Sequence, residues 1–221
     1  WTKPYTTPGT EKVVCVLPLF HIYALSGIML GAVANGNQLI LYPRPDIDMI
    51  VADLSTKKPT FLPGVPTLYT AINKHPKAQG LDLSSLKICM SGGAPLPVEV
   101  QQSFEKLTGA TLIEGYGLTE TSPTGAICPV DKSVRRVGSC GLPMPGTIIE
   151  IRDMENKDRA LPPGKDNVGE VCIIGPQVMK GYWKKPEETE KVLFRHPGSN
   201  WMGLRTGDMG YMDADGWLFL V

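Results

Sequence analysis

Five short runs rich in valine, isoleucine and leucine recur along the first half of the chain. They lie at Val13 to Leu17, Gln38 to Tyr42, Thr60 to Leu62, Leu86 to Met90 and Thr111 to Ile113, with starts 25, 22, 26 and 25 residues apart. Runs this short and this continuously apolar suit strands buried on both faces, which is the pattern of a parallel sheet. The spacing leaves room for a strand and the crossover helix that a parallel connection requires. Helical signals fill the gaps: Asp46 caps a segment with Ile47, Ile50, Val51 and Leu54 on one face. Pro97 opens another with Val98, Val100, Phe104 and Leu107, which Gly109 stops. The predicted fold class is α/β, an open parallel sheet with right-handed crossover helices.

After about residue 125 the texture changes. Turn signals at Leu142-Pro-Met-Pro-Gly146 and Leu161-Pro-Pro-Gly164 bracket segments that alternate with a period of two, at Thr147 to Arg152, Gly169 to Ile174 and Gly216 to Val221. These read as antiparallel strands of a smaller, barrel-like β unit. The domains are set at 1–130 and 131–221, with a boundary that falls softly between 125 and 140. The stretch Val13 to Ala34 is the most apolar, but a membrane span should not carry Pro18 and His21 at mid-depth, and a signal peptide needs a cleaner apolar centre after a basic start. It reads as a buried strand running into a buried helix. The chain opens with Trp1 rather than methionine, so it is expected to be a piece of something longer.

Lysine and arginine total 22, as do aspartate and glutamate, and the absence of a basic excess argues against a nucleic-acid module. Five cysteines, none closer than 12 residues to the next, form no C-x-x-C pair and fit a reducing, cytoplasmic compartment.

Ligands of open parallel sheets bind beyond the carboxyl ends of the strands, which singles out the loop after each run. Ser91-Gly-Gly-Ala-Pro-Leu-Pro97 follows the fourth run, and the small residues Gly92, Gly93 and Ala94 let a flat ring or a phosphate approach the backbone. The same residues also read as a turn feeding a proline-started helix. Glu114-Gly-Tyr-Gly-Leu-Thr-Glu-Thr-Ser-Pro123 follows the fifth. There Tyr116 can stack on a base, Thr119 donate to a phosphate and Glu120 ligate magnesium, or Thr and Glu can simply cap the next element. Leu17-Pro-Leu-Phe-His21 follows the first, where a lone histidine is more often a satisfied core residue than a catalyst. Thr206-Gly-Asp208, read as a turn before the last hairpin, offers a carboxylate to a ribose diol or closes an Asx turn. Gly115-x-Gly117 imitates a dinucleotide fingerprint of an oxidoreductase, but Glu120 stands where its third glycine belongs. No HExxH, Walker A, G-x-S-x-G or EF-hand pattern is present.

In order and content these motifs resemble the acyl-adenylate-forming family, most closely its long-chain fatty-acid CoA ligases. Leu17 to Leu25 is similar to the family's aromatic-histidine motif at the acyl pocket, Ser91 to Pro97 to its adenine loop, and Tyr116 to Pro123 to its Tyr-Gly-x-Thr-Glu motif. Gly169 to Pro176, with Gly181-Tyr-Trp183 and Pro186-Glu-x-Thr189, resembles the motif that comes next, and Arg205-Thr-Gly-Asp208 the ribose-binding one. The resemblance implies a ligase that joins a carboxylate to AMP from ATP, releases pyrophosphate and passes the acyl group to coenzyme A, with Mg2+ as the metal. It implies that Gly92, Gly93 and Ala94 line the adenine, Glu114 and Gly115 bond it, and Tyr116 stacks on it. It further implies that Thr119 holds the α-phosphate, Glu120 the magnesium and Asp208 the ribose hydroxyls, with His21 and Gly117 at the acyl substrate. Amino-acid-activating relatives place an aspartate where His21 stands, so a carboxylic acid without an amino group is favoured. The family's lysine-bearing phosphate loop and mobile C-terminal domain are not in this sequence. The chain is therefore expected to be a central fragment, inactive alone, of an enzyme with no transmembrane segment whose peripheral contact with a membrane stays open. The rival reading is a non-catalytic nucleotide-binding or interaction module, and a further one is an adenylating enzyme for another carboxylic acid.

Overall fold

The computed structural model describes residues 5–221, and Trp1 lies outside them. The chain divides into two units, one made of residues 1–115 and 129–138, the other of residues 116–128 and 139–221.

In the first unit the apolar runs form strands β1 (Lys12–Cys15), β2 (Gln38–Leu41), β3 (Phe61–Gly64), β4 (Ile88–Ser91) and β5 (Thr111–Tyr116). They pair in parallel in the order β2-β1-β3-β4-β5. The order reverses direction between β1 and β3, the kind of switch point at which open α/β sheets bind ligands.

Between β1 and β2 the chain winds as a π-helical segment, Tyr23–Leu30, that tightens into α1, Gly31–Ala34. Tyr23, Ala24, Ile28 and Ala32 pack with Val13 and Cys15 of β1 on one face of the sheet. The sequence reading expected a fully buried helix, yet Leu30 and Val33 are 52% and 65% exposed. The segment packs one face on the sheet through Tyr23, Ala24, Ile28 and Ala32, and Leu30 and Val33 lie off that face.

Helices α2 (Ile47–Thr56), α3 (Pro66–Lys74) and α4 (Val98–Thr108) pack their apolar faces into the other core, where Ile50, Leu54, Tyr69, Ile72 and Phe104 meet Leu62, Cys89 and Leu112 of the strands. Asp46 caps α2 as its sequence position implied, accepting the Met49 N–H at 3.0 Å. Pro97 precedes α4 and Gly109 ends it in the left-handed conformation.

Residues 129–138 return to the first unit and are tied to it by charge. Arg135 grips Glu105 of α4 through both nitrogens at 2.7 and 3.0 Å and donates to the Leu112 carbonyl at 2.8 Å.

The second unit holds a short antiparallel pair, β6 (Ala126–Ile127) with β7 (Leu142–Pro143), and a larger antiparallel sheet. Its strands are β8 (Ile148–Arg152), β9 (Gly169–Ile174), β10 (Leu193–Arg195), β11 (Met202–Met212) and β12 (Leu218–Leu220), with a short helix α5 (Pro186–Val192) before β10. The eleven-residue β11 has β9 along one edge, while β10 and then β12 share the other. Ile149, Ile151, Val171, Ile173 and Leu218 form its core with Ala126 and Cys140. Among the described residues no helix is long and apolar enough to cross a membrane.

Candidate active site

At the carboxyl ends of β3, β4 and β5, Gly64, Ser91 and Glu114 stand side by side in register. The loop that follows β4 leaves Gly93 and Ala94 exposed and buries Gly92. A Cβ on Gly92 would stand 3.3 Å from the Tyr23 ring and 3.6 Å from the Gly115 carbonyl, so these three residues crowd one corner of the unit. Tyr23 is fixed there by its hydroxyl, which donates to the Met90 carbonyl at 2.9 Å. Two residues earlier His21 is exposed, and its Nδ1 accepts the Tyr23 N–H at 3.2 Å, which leaves Nε2 to carry the proton of the neutral ring.

Glu114 does something the sequence did not reveal. Its Oε1 accepts the Leu96 N–H at 3.3 Å, closing the far end of the 91–97 loop from below. Burial pushes its carboxyl up to about 7, and the Leu96 N–H opposes this only in part. The neighbouring Ser91 hydroxyl is buried and has no hydrogen-bond partner among the described residues.

The second unit carries the remaining candidates. Thr206-Gly-Asp208 was read as a turn, but it lies inside β11 as a bulge. Arg205 pairs with Cys172 and Met209 with Glu170, so three residues of β11 stand opposite Val171 alone. Gly207 and Asp208, both depleted in strands, hid the strand from a sequence reading. Gly207 takes φ +78°, a conformation that favours glycine. The Thr206 hydroxyl donates to the Val171 carbonyl at 2.7 Å and accepts the Asp208 N–H at 3.1 Å. The half-buried Asp208 carboxylate is thereby presented to Tyr116, whose hydroxyl donates to Oδ2 at 2.6 Å. Burial first, and the Asp208 carboxylate second, hold the Tyr116 phenol well above its ordinary range, so it remains a donor at any physiological pH.

The Thr119–Thr121 turn exposes Thr119 and leaves Glu120 half-buried. Its shape depends on a residue to which the sequence reading gave no role. The buried Thr121 hydroxyl accepts the Leu118 N–H at 2.9 Å and lies 3.1 Å from the Pro123 carbonyl. Gly117 is required by packing, since a Cβ there would stand 1.8 Å from the Pro123 carbonyl oxygen. Glu120 Oε1 accepts the hydroxyl of Tyr182 at 2.8 Å, and the Glu120 carbonyl accepts the Met179 N–H at 2.9 Å. Tyr182 belongs to the Gly181-Tyr-Trp183 signature, which was the available signal for it.

No cluster of three or more metal-ligating side chains occurs among the described residues. A single hard carboxylate such as Glu120 suits magnesium that arrives with a polyphosphate, because that ion keeps much of its shell as water and phosphate oxygen. No lysine or arginine occurs in residues 91–97 or 114–123. Arg205, the one cation beside the bulge in sequence, is spent elsewhere. It lies over the Phe194 ring at 5.0 Å, donates to the Lys157 carbonyl at 3.0 Å and faces Asp158 at 3.5 Å.

The family model for AMP-binding enzymes matches residues 1–183. Over 214 residues the chain is 46% identical to the long-chain-fatty-acid–CoA ligase of Bacillus subtilis (strain 168), an alignment that covers 96% of this chain and 36% of that protein. It is 36% identical to 4-coumarate–CoA ligase 2 of Oryza sativa subsp. japonica, covering 96% of this chain and 36% of the relative. The crystal structure of ATP-bound MatB from Rhodopseudomonas palustris matches with a TM-score of 0.85 at 30% identity, over 99% of this chain and 41% of that one. The chain thus spans a little over a third of the length of these curated relatives.

Proposed function

The chain belongs to the AMP-binding enzyme family, and from that premise we propose that it serves an ATP-dependent ligase joining long-chain fatty acids to coenzyme A. The observation that carries the reading is the meeting of Tyr116 and Asp208 at 2.6 Å, although they lie 92 residues apart in sequence. An aromatic plate hydrogen-bonded to a carboxylate is the pair needed to hold a base and the diol of its ribose together. The 46% identity to a fatty-acid ligase, against 36% to an aryl-acid ligase, supports the choice of acid.

In the first step a carboxylate oxygen of the fatty acid attacks the α-phosphorus of ATP. The new oxygen–phosphorus bond forms as the bond to the β-phosphate oxygen breaks, and pyrophosphate leaves with the electron pair. Gly92, Gly93, Ala94 and Gly115 line the adenine, with Glu114 holding their loop from beneath, and Asp208 binds the ribose. Thr119, the exposed hydroxyl of its turn, donates to the α-phosphate as charge builds on the phosphoryl oxygens. Glu120 is the protein ligand for Mg2+, which when bound neutralises phosphate charge. In the second step the thiol sulfur of coenzyme A attacks the acyl carbon, the carbon–sulfur bond forms as the bond to the phosphate oxygen breaks, AMP leaves with that electron pair, and the thiol proton passes to solvent. His21 and Gly117 are each assigned to binding of the acyl substrate.

By themselves the 221 residues are proposed to be inactive, because the nucleotide loops hold no cation and Arg205 is already engaged. We place the protein in the cytoplasm, a reading supported by five cysteines that are all buried and form no C-x-x-C pair. ATP–pyrophosphate exchange in the protein that carries this sequence tests the assignment. Palmitate should drive exchange and 4-coumarate should not, and equal exchange with the two acids would overturn the fatty-acid reading.

A further inference from the structure

The bulge that presents Asp208 is held from the neighbouring strand by Glu170, a residue of the Gly169 to Pro176 motif to which neither the sequence reading nor the proposed chemistry gives a role. Between the Arg205–Cys172 and Met209–Glu170 pairs the β11 backbone has only Val171 opposite it, so the Gly207 N–H loses its ladder partner. Glu170 reaches across and supplies one, its Oε1 accepting that N–H at 3.1 Å. The side chain is 12% exposed, and its second oxygen faces the Arg205 guanidinium at 3.9 Å.

Arg205 cannot swing away to leave Glu170 free. Its guanidinium lies over Phe194 and is bonded to the Lys157 carbonyl. Phe194 in turn is laid flat across Gly203, where a Cβ would come within 2.2 Å of the ring, and Arg152 covers the ring at 4.0 Å. A charged acceptor oriented in this way makes a stronger bond to a backbone N–H than a neutral one would.

We propose that Glu170 is a positioning residue for ribose recognition: by holding the Gly207 N–H it sets the bulge that aims Asp208. The inference rests on the ribose reading of Asp208 given above. Thr206 fixes the two ends of the bulge, to Val171 and to Asp208, and Glu170 fixes its middle. Without Glu170 the left-handed Gly207 is free to rotate, and the carboxylate beyond it loses its direction.

The test compares Glu170→Ala with Glu170→Gln, whose amide oxygen can still accept the Gly207 N–H. In the ligand-free protein, hydrogen exchange at the Gly207 amide should speed up about tenfold or more in Glu170→Ala and stay near wild type in Glu170→Gln, as loss of one charge-assisted bond implies. The preference for AMP over 2′,3′-dideoxy-AMP should collapse in Glu170→Ala and persist in Glu170→Gln. Unchanged Gly207 exchange in Glu170→Ala would overturn the proposal, as would an opened bulge with the preference for AMP intact. Asp208→Ala separates the two ideas. If it leaves the AMP preference untouched the ribose reading falls, and with it the link to ribose, while the exchange data still decide whether Glu170 holds the bulge.

Discussion

Glu114→Gln should make the first unit more stable above pH 7 while changing it little near pH 5. In the folded protein the Glu114 carboxyl is pushed up to about 7 from an ordinary 4.5, chiefly by burial, with the Leu96 N–H pulling the other way. The folded state therefore holds this proton more tightly than the unfolded chain does. Its contribution to stability is complete below pH 4.5 and is lost as the pH rises through 7. The gap corresponds to about 3 kcal/mol, the free energy of ionising a carboxyl that burial disfavours. Glutamine carries no proton to lose and keeps a carbonyl oxygen for the Leu96 N–H, so the variant should escape this penalty. Relaxation of the 91–97 loop around the charge would trim the gain to about 1–3 kcal/mol at pH 8. Urea unfolding of both proteins, followed by far-UV circular dichroism at pH 5 and pH 8, gives the difference of differences. Other groups with depressed carboxyls, such as Glu11, Glu105 and Glu150, push stability the opposite way with pH, but they are common to both proteins and cancel. A variant with the same pH dependence as wild type would refute the reasoning.

Three further outcomes are expected. Glu120→Gln should abolish magnesium-dependent pyrophosphate exchange with an unchanged circular dichroism spectrum, and exchange at the wild-type rate would remove Glu120 from the chemistry. Asp208→Ala should weaken AMP binding, measured by titration calorimetry, by about 1.5 to 3 kcal/mol, the worth of a charge-assisted hydrogen bond. The 221-residue chain should bind ATP no more than about tenfold tighter than AMP at equal magnesium and salt, a ceiling of about 1.4 kcal/mol; a larger preference would reveal phosphate cations that the loops lack.

The parallel sheet was legible because its strands are short, continuously apolar and evenly spaced, and because Asp46, Pro97 and Gly109 mark helix ends by local chemistry alone. Helix α3 was missed, although the starts of the third and fourth runs lie 26 residues apart and leave room for it, because Pro66 opens it within two residues of the end of β3 and no linker announces it. The antiparallel strands β8, β9 and β12 showed in their two-residue alternation. Strand β11 did not, since a bulge spends three of its residues on polar hydrogen bonds instead of ladder pairs. The site followed the same rule. Motifs contiguous in sequence were readable one at a time, whereas the Tyr116–Asp208 pair, the Glu120–Tyr182 contact and the grip of Glu114 on Leu96 are products of folding, and no spacing in the chain encodes them.

The return of residues 129–138 to the first unit has a consequence for anyone who would cut or recombine this chain. The two units interleave along the sequence, so exchanging one for the counterpart of a relative takes three junctions, near 115, 128 and 138, rather than one. A piece that stops at 115 strands Glu105, a carboxylate with 14% of its side chain exposed, and leaves the Leu112 carbonyl without the donor that Arg135 provides. Removing one partner of such a pair costs about 3 to 5 kcal/mol, a large share of what a unit of this size has to spare. Chimeras that carry the 129–138 strap with its own α4 should express as folded protein, and those that part the two should aggregate.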